Sequence, residues 1–273
     1  MAGNRQTLGV IGVGAFGEFM LKYLIPYFNV SIYDTHRDLT KVGELYNVEI
    51  CDLNYICDCD IVVLCVPVVH MEEAMASIQH RLRKGQLLVD LCSVKVNPIK
   101  LISDALPKGV EFISLHPLFG PQSGKHGISG LNVTICDVGK TNRSDCIRKF
   151  LGDTLNLKVH ETTPEQHDKE MAYVQGLTHM IAKVYSRMDV PEIHQKTKTY
   201  TLLSEMVDMI RYDSDELFLA IQRDNPFVEV TKQSFFSAVR DLEAKLSNAE
   251  KEVLPADQER REAERREIER RKI

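Results

Sequence analysis

The chain carries no surplus of basic residues. Its 34 lysines and arginines are outnumbered by 39 aspartates and glutamates, a formal net charge of -5, whereas a general nucleic-acid binder carries the opposite balance. It also lacks an apolar run long enough to cross a membrane. The longest, Ile61 to Val69, falls well short of the roughly 20 residues that a helical span needs. The first residues, Met1 to Thr7, are polar and short and lead directly into a strand-like run, which is not the layout of a secretory signal. Paired cysteine clusters are missing too. The seven cysteines include one C-x-C, Cys57 and Cys59, with Cys51 nearby, but no second C-x-C or C-x-x-C completes a metal site. The thiols read as those of a protein in a reducing compartment, and the expected location is the cytoplasm. There the N-x-S/T triplets at Asn132 and Asn142 carry no meaning.

What is present is an ordinary globular composition, 44% hydrophobic and 27% charged, over 273 residues. That excludes disorder of the whole chain and suits one large domain or two medium ones. The first half alternates in character. Strand-like runs at Thr7–Ile11, Val30–Tyr33, Ile61–Val66, Gln86–Leu91, Glu111–Leu115, Leu131–Cys136 and Leu157–His160 are interleaved with helix-like ones at Gly17–Tyr27, His70–Leu82, Pro98–Ala105 and Asp145–Leu151. Such alternation predicts a parallel sheet covered on both faces. After Thr162-Thr163-Pro164-Glu165, where a threonine cap and an early proline favour a helix start, only helical periodicities follow: Glu165–Arg187, Gln195–Ile210, Ser214–Ile221 and Phe227–Lys245. The expected organisation is an α/β domain at 1–161, an all-helical domain at 162–250 and a charged tail at 251–273. In the tail the acid-first pairs Asp257/Arg261, Glu262/Arg266 and Glu267/Arg271 support a solvated helix by about 0.2–0.5 kcal/mol each, and apolar heptad positions for a partner helix are wanting there.

Gly12-Val13-Gly14-Ala15-Phe16-Gly17 is a G-x-G-x-x-G placed directly after a strand and opening a helix, the context in which the motif binds a dinucleotide. Gly12 permits the tight turn, Gly14 admits the pyrophosphate to the backbone, and Gly17 allows close helix–sheet packing. Ala15 and Phe16 begin the helix whose N-terminus faces the phosphates. Asp34 closes the second strand, where an acid accepts from the ribose 2′-hydroxyl and repels a 2′-phosphate. This favours NAD, while Arg37, three residues on, leaves NADP open. Val66 and Pro67, at the end of the run from Ile61, count with the nucleotide-contacting residues, as does Ser93.

In an open parallel sheet, ligands collect at the carboxyl ends of the strands. Ser93 and His116 both follow strands there, His116 as a candidate general base and Ser93 as the group that orients it. Along the first helix of the second half, Asp168, Ala172, Gln175 and His179 fall on one face. A polar stripe on a largely apolar helix faces either solvent or a polar cleft.

Four segments together resemble the prephenate/arogenate dehydrogenase family: GVIGVGAFG from Gly9, DLCSVK from Asp90, HPLFGPQSG from His116 and HDKEMAYVQGLTH from His167. The likeness spans about Leu8 to Lys245. It implies a Rossmann-type domain followed by a helical dimerisation domain, and oxidative decarboxylation of a cyclohexadienol to a phenol. It further implies that His116 takes the ring-hydroxyl proton while Ser93 holds His116 beside the nicotinamide, that His179 and Gln175 contact substrate, and that two chains form a homodimer. The arginine that family members carry before an Asn-Pro-type turn falls here near Ala220, so Arg223, Arg187 and Lys232 become candidates for the substrate carboxylate. Prephenate is the expected substrate. Arogenate, its amino counterpart, would want an acid in the cleft, and Asp168 could be that acid or a helix cap. With no further domain expected before Leu8 or after Lys245, feedback control through a separate domain is not expected, and competition by tyrosine at the active site is left open. A β-hydroxyacid or imine dehydrogenase, using Lys169 or Lys183 as proton donor, is a second enzyme reading. A non-catalytic NAD-sensing protein would need Gly12, Gly14, Gly17 and Asp34 but not Ser93, His116 and His179.

Overall fold

A computed structural model describes residues 5–270, with side chains through 249. The charged pairs expected in the tail lie outside the described side chains. Contacts divide the chain into two compact units, Met1–Val228 and Glu229–Ile273.

The first unit opens with β1 (Thr7–Ile11), α1 (Ala15–Leu24), β2 (Asn29–Tyr33), α2 (Thr40–Tyr46), β3 (Glu49–Ile50), α3 (Leu53–Asp58) and β4 (Ile61–Leu64). It continues with α4 (Met71–Ile78), β5 (Leu87–Asp90), α5 (Val96–Ala105), β6 (Glu111–Pro117), β7 (Asn132–Cys136), α6 (Ser144–Lys149) and β8 (Lys158–Glu161). The strands form one sheet in the order β3-β2-β1-β4-β5-β6-β7-β8. Period-two alternation divides its side chains between two faces. Leu8, Val10, Ile61 and Val63 pack into one core; Ile11, Val62, Leu64 and Leu88 pack into the other. Each such fully buried aliphatic side chain contributes roughly 1.5–3 kcal/mol.

The sheet is not parallel throughout, as the alternation suggested. β6 and β7 pair antiparallel, with His116 opposite Thr134, while β7 and β8 pair parallel. The cause is the connection. No helix lies between Pro117 and Asn132, so the chain turns back beside β6 instead of crossing over, and α6 then supplies a crossover between β7 and β8. α2, β3 and α3 had no counterpart among the expected elements. The aspartate at position 52 caps α3 by accepting from the Tyr55 N–H at 2.9 Å.

From Pro164 onward the chain is helical: α7 (Pro164–Met171), a π-helical stretch (Ala172–Leu177), α8 (Thr178–Ser186), α9 (Lys198–Ile210), α10 (Asp215–Leu219) and a second π-helical stretch (Ala220–Asp224). Side chains start three of these helices. Thr163, Thr197 and Ser214 each accept a hydrogen bond from the backbone N–H three residues ahead. α11 (Val228–Arg270) forms nearly all of the second unit. Among the described residues no helix is long and apolar enough to cross a membrane.

Candidate active site

The turn between β1 and α1 has the geometry of a phosphate cradle. Gly12 adopts φ +91°, and a Cβ there would lie 2.6 Å from the Cys65 carbonyl, so only glycine is tolerated. A Cβ on Gly17 would collide with the Gly12 carbonyl oxygen. A Cβ on Gly14 would meet nothing within 4 Å, so the need for glycine there comes from what must approach the backbone, not from the protein. Gly14 is also the N-cap of α1 and caps it with no side chain, leaving the helix N-terminus open to an anion.

Asp34 stands beside this turn. Its carboxylate accepts from the N–H groups of Val13 at 2.8 Å, His36 at 2.9 Å and Arg37 at 3.0 Å. Burial pushes its pKa up, but the hydrogen bonds from His36, Val13 and Arg37 outweigh that and hold it below the usual carboxylate range. Arg37 does not reach into open space. It donates to the Val13 carbonyl at 2.6 Å and pairs with Glu18 at 2.6 Å.

A second cluster gathers at the end of β6. His116 is buried, 4% exposed. Its Nδ1 lies 2.8 Å from Nε2 of His167, whose Nδ1 lies 2.7 Å from the Asp168 carboxylate. The tautomers follow from the end of this chain. A carboxylate accepts only, so Nδ1 of His167 donates to it and Nε2 of His167 accepts. Nδ1 of His116 therefore carries a proton and Nε2 of His116 is left as the acceptor nitrogen. The Gln175 side-chain amide nitrogen lies 3.4 Å from that Nε2, while its side-chain oxygen Oε1 is buried with no hydrogen-bond partner. Burial first, then the charges of His167 and Lys95, push the His116 pKa well below its ordinary value. His116 is thus a neutral base at physiological pH.

Ser93 does not orient His116, contrary to the sequence expectation. Both ring nitrogens of His116 have other neighbours, His167 and Gln175, because α7 brings His167 Nε2 to the edge of the ring at Nδ1. Asp168 is likewise no lining acid. It is fully buried, and its oxygens accept from the N–H groups of Lys95 at 2.8 Å and Val96 at 2.9 Å as well as from His167. α5 has no side-chain cap of its own, and Asp168 supplies one from α7. Asn225 Nδ2 then donates to the Asp168 carbonyl at 2.7 Å, tying in the Asn-Pro turn.

Sequence reasoning also passed over Lys95 and Asp90. Lys95 is wholly buried, its ammonium 2.8 Å from Asp90 and 2.8 Å from the Leu115 carbonyl. Asp90 also accepts from Ser114 Oγ at 2.6 Å and from the Cys92 N–H. This pair fixes the end of β6 immediately before His116. The sequence signal was a lysine at the head of a buried helix inside the quoted DLCSVK.

The stripe on the first helix faces inward. Asp168, Ala172 and His179 are buried, while the apolar Tyr173, Val174 and Val184 are exposed. The π-helical stretch adds residues to the turn, so Gln175 points to His116 while His179 engages the Gln175 carbonyl at 2.8 Å and Asp213 at 3.1 Å. The carboxylate candidates fare differently. Arg223 is engaged by Asp224 at 2.7 and 3.0 Å, Lys232 pairs with Glu229 at 2.6 Å, and Arg187 is exposed. Lys183 pairs with Asp215 at 2.8 Å, and Lys169 lies 5.4 Å from the centre of the Phe227 ring, so neither lysine approaches His116 through these contacts.

A glycine-rich turn under an acid-terminated second strand, in a sheet of this order, defines a Rossmann-type nucleotide-binding protein with a helical C-terminal portion. The family model for the nucleotide-binding domain of prephenate dehydrogenase matches residues 24–155. Arogenate dehydrogenase 2, chloroplastic, of Arabidopsis thaliana is 33% identical over 82% of this chain and 65% of its own length. Arogenate dehydrogenase 1, chloroplastic, of the same plant is 26% identical over 89% of this chain and 40% of its own. The chain therefore spans less than two thirds of either relative. Among solved structures, prephenate dehydrogenase from A. aeolicus in complex with hydroxyphenyl propionate and NAD+ is similar in fold, with TM-score 0.71 at 20% identity over 98% of this chain and 100% of that one. The chain belongs to the prephenate/arogenate dehydrogenase family.

Proposed function

We propose that the protein oxidatively decarboxylates prephenate to 4-hydroxyphenylpyruvate with NAD. The observation that carries this reading is the buried, neutral His116, whose Nδ1 proton is fixed by His167 and Asp168 so that Nε2 presents a lone pair. The ring hydroxyl of the substrate donates to that Nε2, and His116 takes its proton as the carbon bearing it is oxidised. NAD, held by Gly12, Gly14, Gly17 and Asp34, supplies the hydride acceptor. Cleavage of the ring carboxylate as CO2 leaves its electron pair to aromatise the ring, and the proton held by His116 returns to the resulting phenolate oxygen. Ala15 and Phe16 offer the pyrophosphate their N–H groups, Val66 and Pro67 border the nucleotide, and Ser93 stands on the nicotinamide side. Gln175 accepts from the substrate through its unpartnered oxygen, and His179 contacts the side chain of the substrate.

Arogenate is the second reading. The Arabidopsis relatives are named for it, and Asp213, bonded to His179, offers a carboxylate to an ammonium. Asp168, committed to three donors, does not.

The working unit is a homodimer in this reading. On α11, Phe235, Val239, Leu242 and Leu246 recur at i, i+4, i+7 and i+11, and the last three are exposed, the spacing of a helix face that packs on a partner helix. Seven free cysteines, with burial pushing Cys57 and Cys59 up to about 11, suit a reducing compartment such as the cytoplasm. The test is formation of reduced nicotinamide with prephenate and with arogenate, each supplied with NAD and with NADP. Turnover of prephenate with NAD is expected. Turnover of neither, with NAD bound, would remove the activity and leave the fold.

A further inference from the structure

A basic residue close behind the acid of a ribose site is ordinarily free to meet a phosphate on the ribose 2′ position. Arg37 is not free. One of its amino groups donates to the Val13 carbonyl at 2.6 Å, and the other pairs with Glu18 at 2.6 Å. Val13 in turn donates its N–H to Asp34 at 2.8 Å, and Asp34 accepts the backbone N–H of Arg37 at 3.0 Å. Arg37, Val13 and Asp34 thus close a ring that includes a residue of the glycine-rich turn and the ribose acid, and Glu18 holds the Arg37 guanidinium from outside it. Glu18 belongs to the first turn of α1, and its side chain is 26% exposed against 42% for Arg37.

We propose that Glu18 is a specificity-determining residue for the nucleotide: by holding Arg37 onto Val13 it withholds the cation that a 2′-phosphate would need beside Asp34. This rests on the nucleotide reading of the glycine-rich turn. A 2′-phosphate would bring a second negative group against a carboxylate already held ionised by backbone N–H groups. Accommodating it requires a charge-assisted contact with Arg37, and Arg37 reaches it only by leaving Glu18 and the Val13 carbonyl. Release would strand the Glu18 carboxylate near the incoming phosphate, a further like-charge penalty. Rejection of NADP is therefore divided between Asp34, which repels, and Glu18, which sequesters. NAD, with a hydroxyl at the same position, needs nothing from Arg37.

The experiment is calorimetric measurement of Kd for NAD and for NADP on the full chain, comparing the unaltered protein, Glu18→Gln, Arg37→Ala and the double variant. The expected result is that Glu18→Gln tightens NADP about tenfold relative to NAD, and that this relative gain disappears when Arg37 is also replaced. Taking the ratio matters, because removing a negative charge from α1 favours both nucleotides alike. An unchanged NADP-to-NAD ratio in Glu18→Gln, or a gain that persists without Arg37, overturns the proposal while leaving the nucleotide site standing. Binding of neither nucleotide to the unaltered protein overturns the nucleotide reading and this proposal with it.

Discussion

Nε2 of His167 lies 2.8 Å from Nδ1 of His116, with Asp168 a further 2.7 Å behind. The pairing holds the ring of His116 through its Nδ1 and leaves Nε2 on the opposite side of the ring. His167→Leu should lower kcat by about 10²-fold, since the ring of His116 loses both its orientation and its tautomer. KM should move little and the pH profile should shift. A loss confined to KM would mean that His167 lines the pocket instead of positioning His116.

The depressed pKa of His116 gives two expectations with a definite sign. In the folded protein the imidazole stays neutral well below its ordinary 6.5, so the acid limb of kcat/KM should lie below that pH. In the unfolded chain the same group protonates near 6.5, so the unfolded state binds more protons there. Stability should therefore fall as pH drops below about 6.5 and continue to fall down to the folded pKa. Denaturant melts across that window, compared with His116→Gln, read the slope: the variant should show less of it.

Asp168→Ala should destabilise by about 2–5 kcal/mol. It strips the N–H groups of buried Lys95 and half-buried Val96 of their acceptor, a buried loss costing about 1–3 kcal/mol, and leaves His167 without its carboxylate. Urea unfolding measures it. A change under ~0.5 kcal/mol would show that other groups cap α5.

Gly14→Ala separates binding from folding. With no protein atom within 4 Å of the added Cβ, the thermal midpoint should stay within a degree or two of the parent, while NAD affinity falls by tenfold or more as the methyl group occupies the pyrophosphate path. Gly12→Ala, forced into φ +91° against the Cys65 carbonyl, should lose stability as well.

Much of this architecture was legible in the sequence because it depends on short-range signals. The apolar runs located β1 residue for residue and β2, β4, β5, β6, β7 and β8 to within one or two residues. The threonine–proline junction placed the start of α7. α2, β3 and α3, of seven, two and six residues, are too short for periodicity to register. The reversal at β7 depends on a connection without a helix, and sequence alternation does not report strand direction. Within the site, the residues whose roles are local, Gly12, Gly17 and Asp34, stand where the motif implied. Those whose roles are tertiary did not show. Asp168 caps a helix some seventy residues earlier in the chain, Lys95 finds its partner inside the sheet, and His167 gains meaning only once α7 is laid against β6. Helix spacing grouped the polar residues of the first helix on one face but could not say whether that face met solvent or a cleft.

The most direct test of the central claim is steady-state turnover of prephenate by His116→Asn, with NAD binding measured on the same preparation. The expected result is that kcat falls by about 10²–10⁴-fold while the Kd for NAD is unchanged, because His116 lies outside the glycine-rich turn and Asp34. Turnover retained within a few-fold of the parent would contradict His116 as the base and the mechanism built on it.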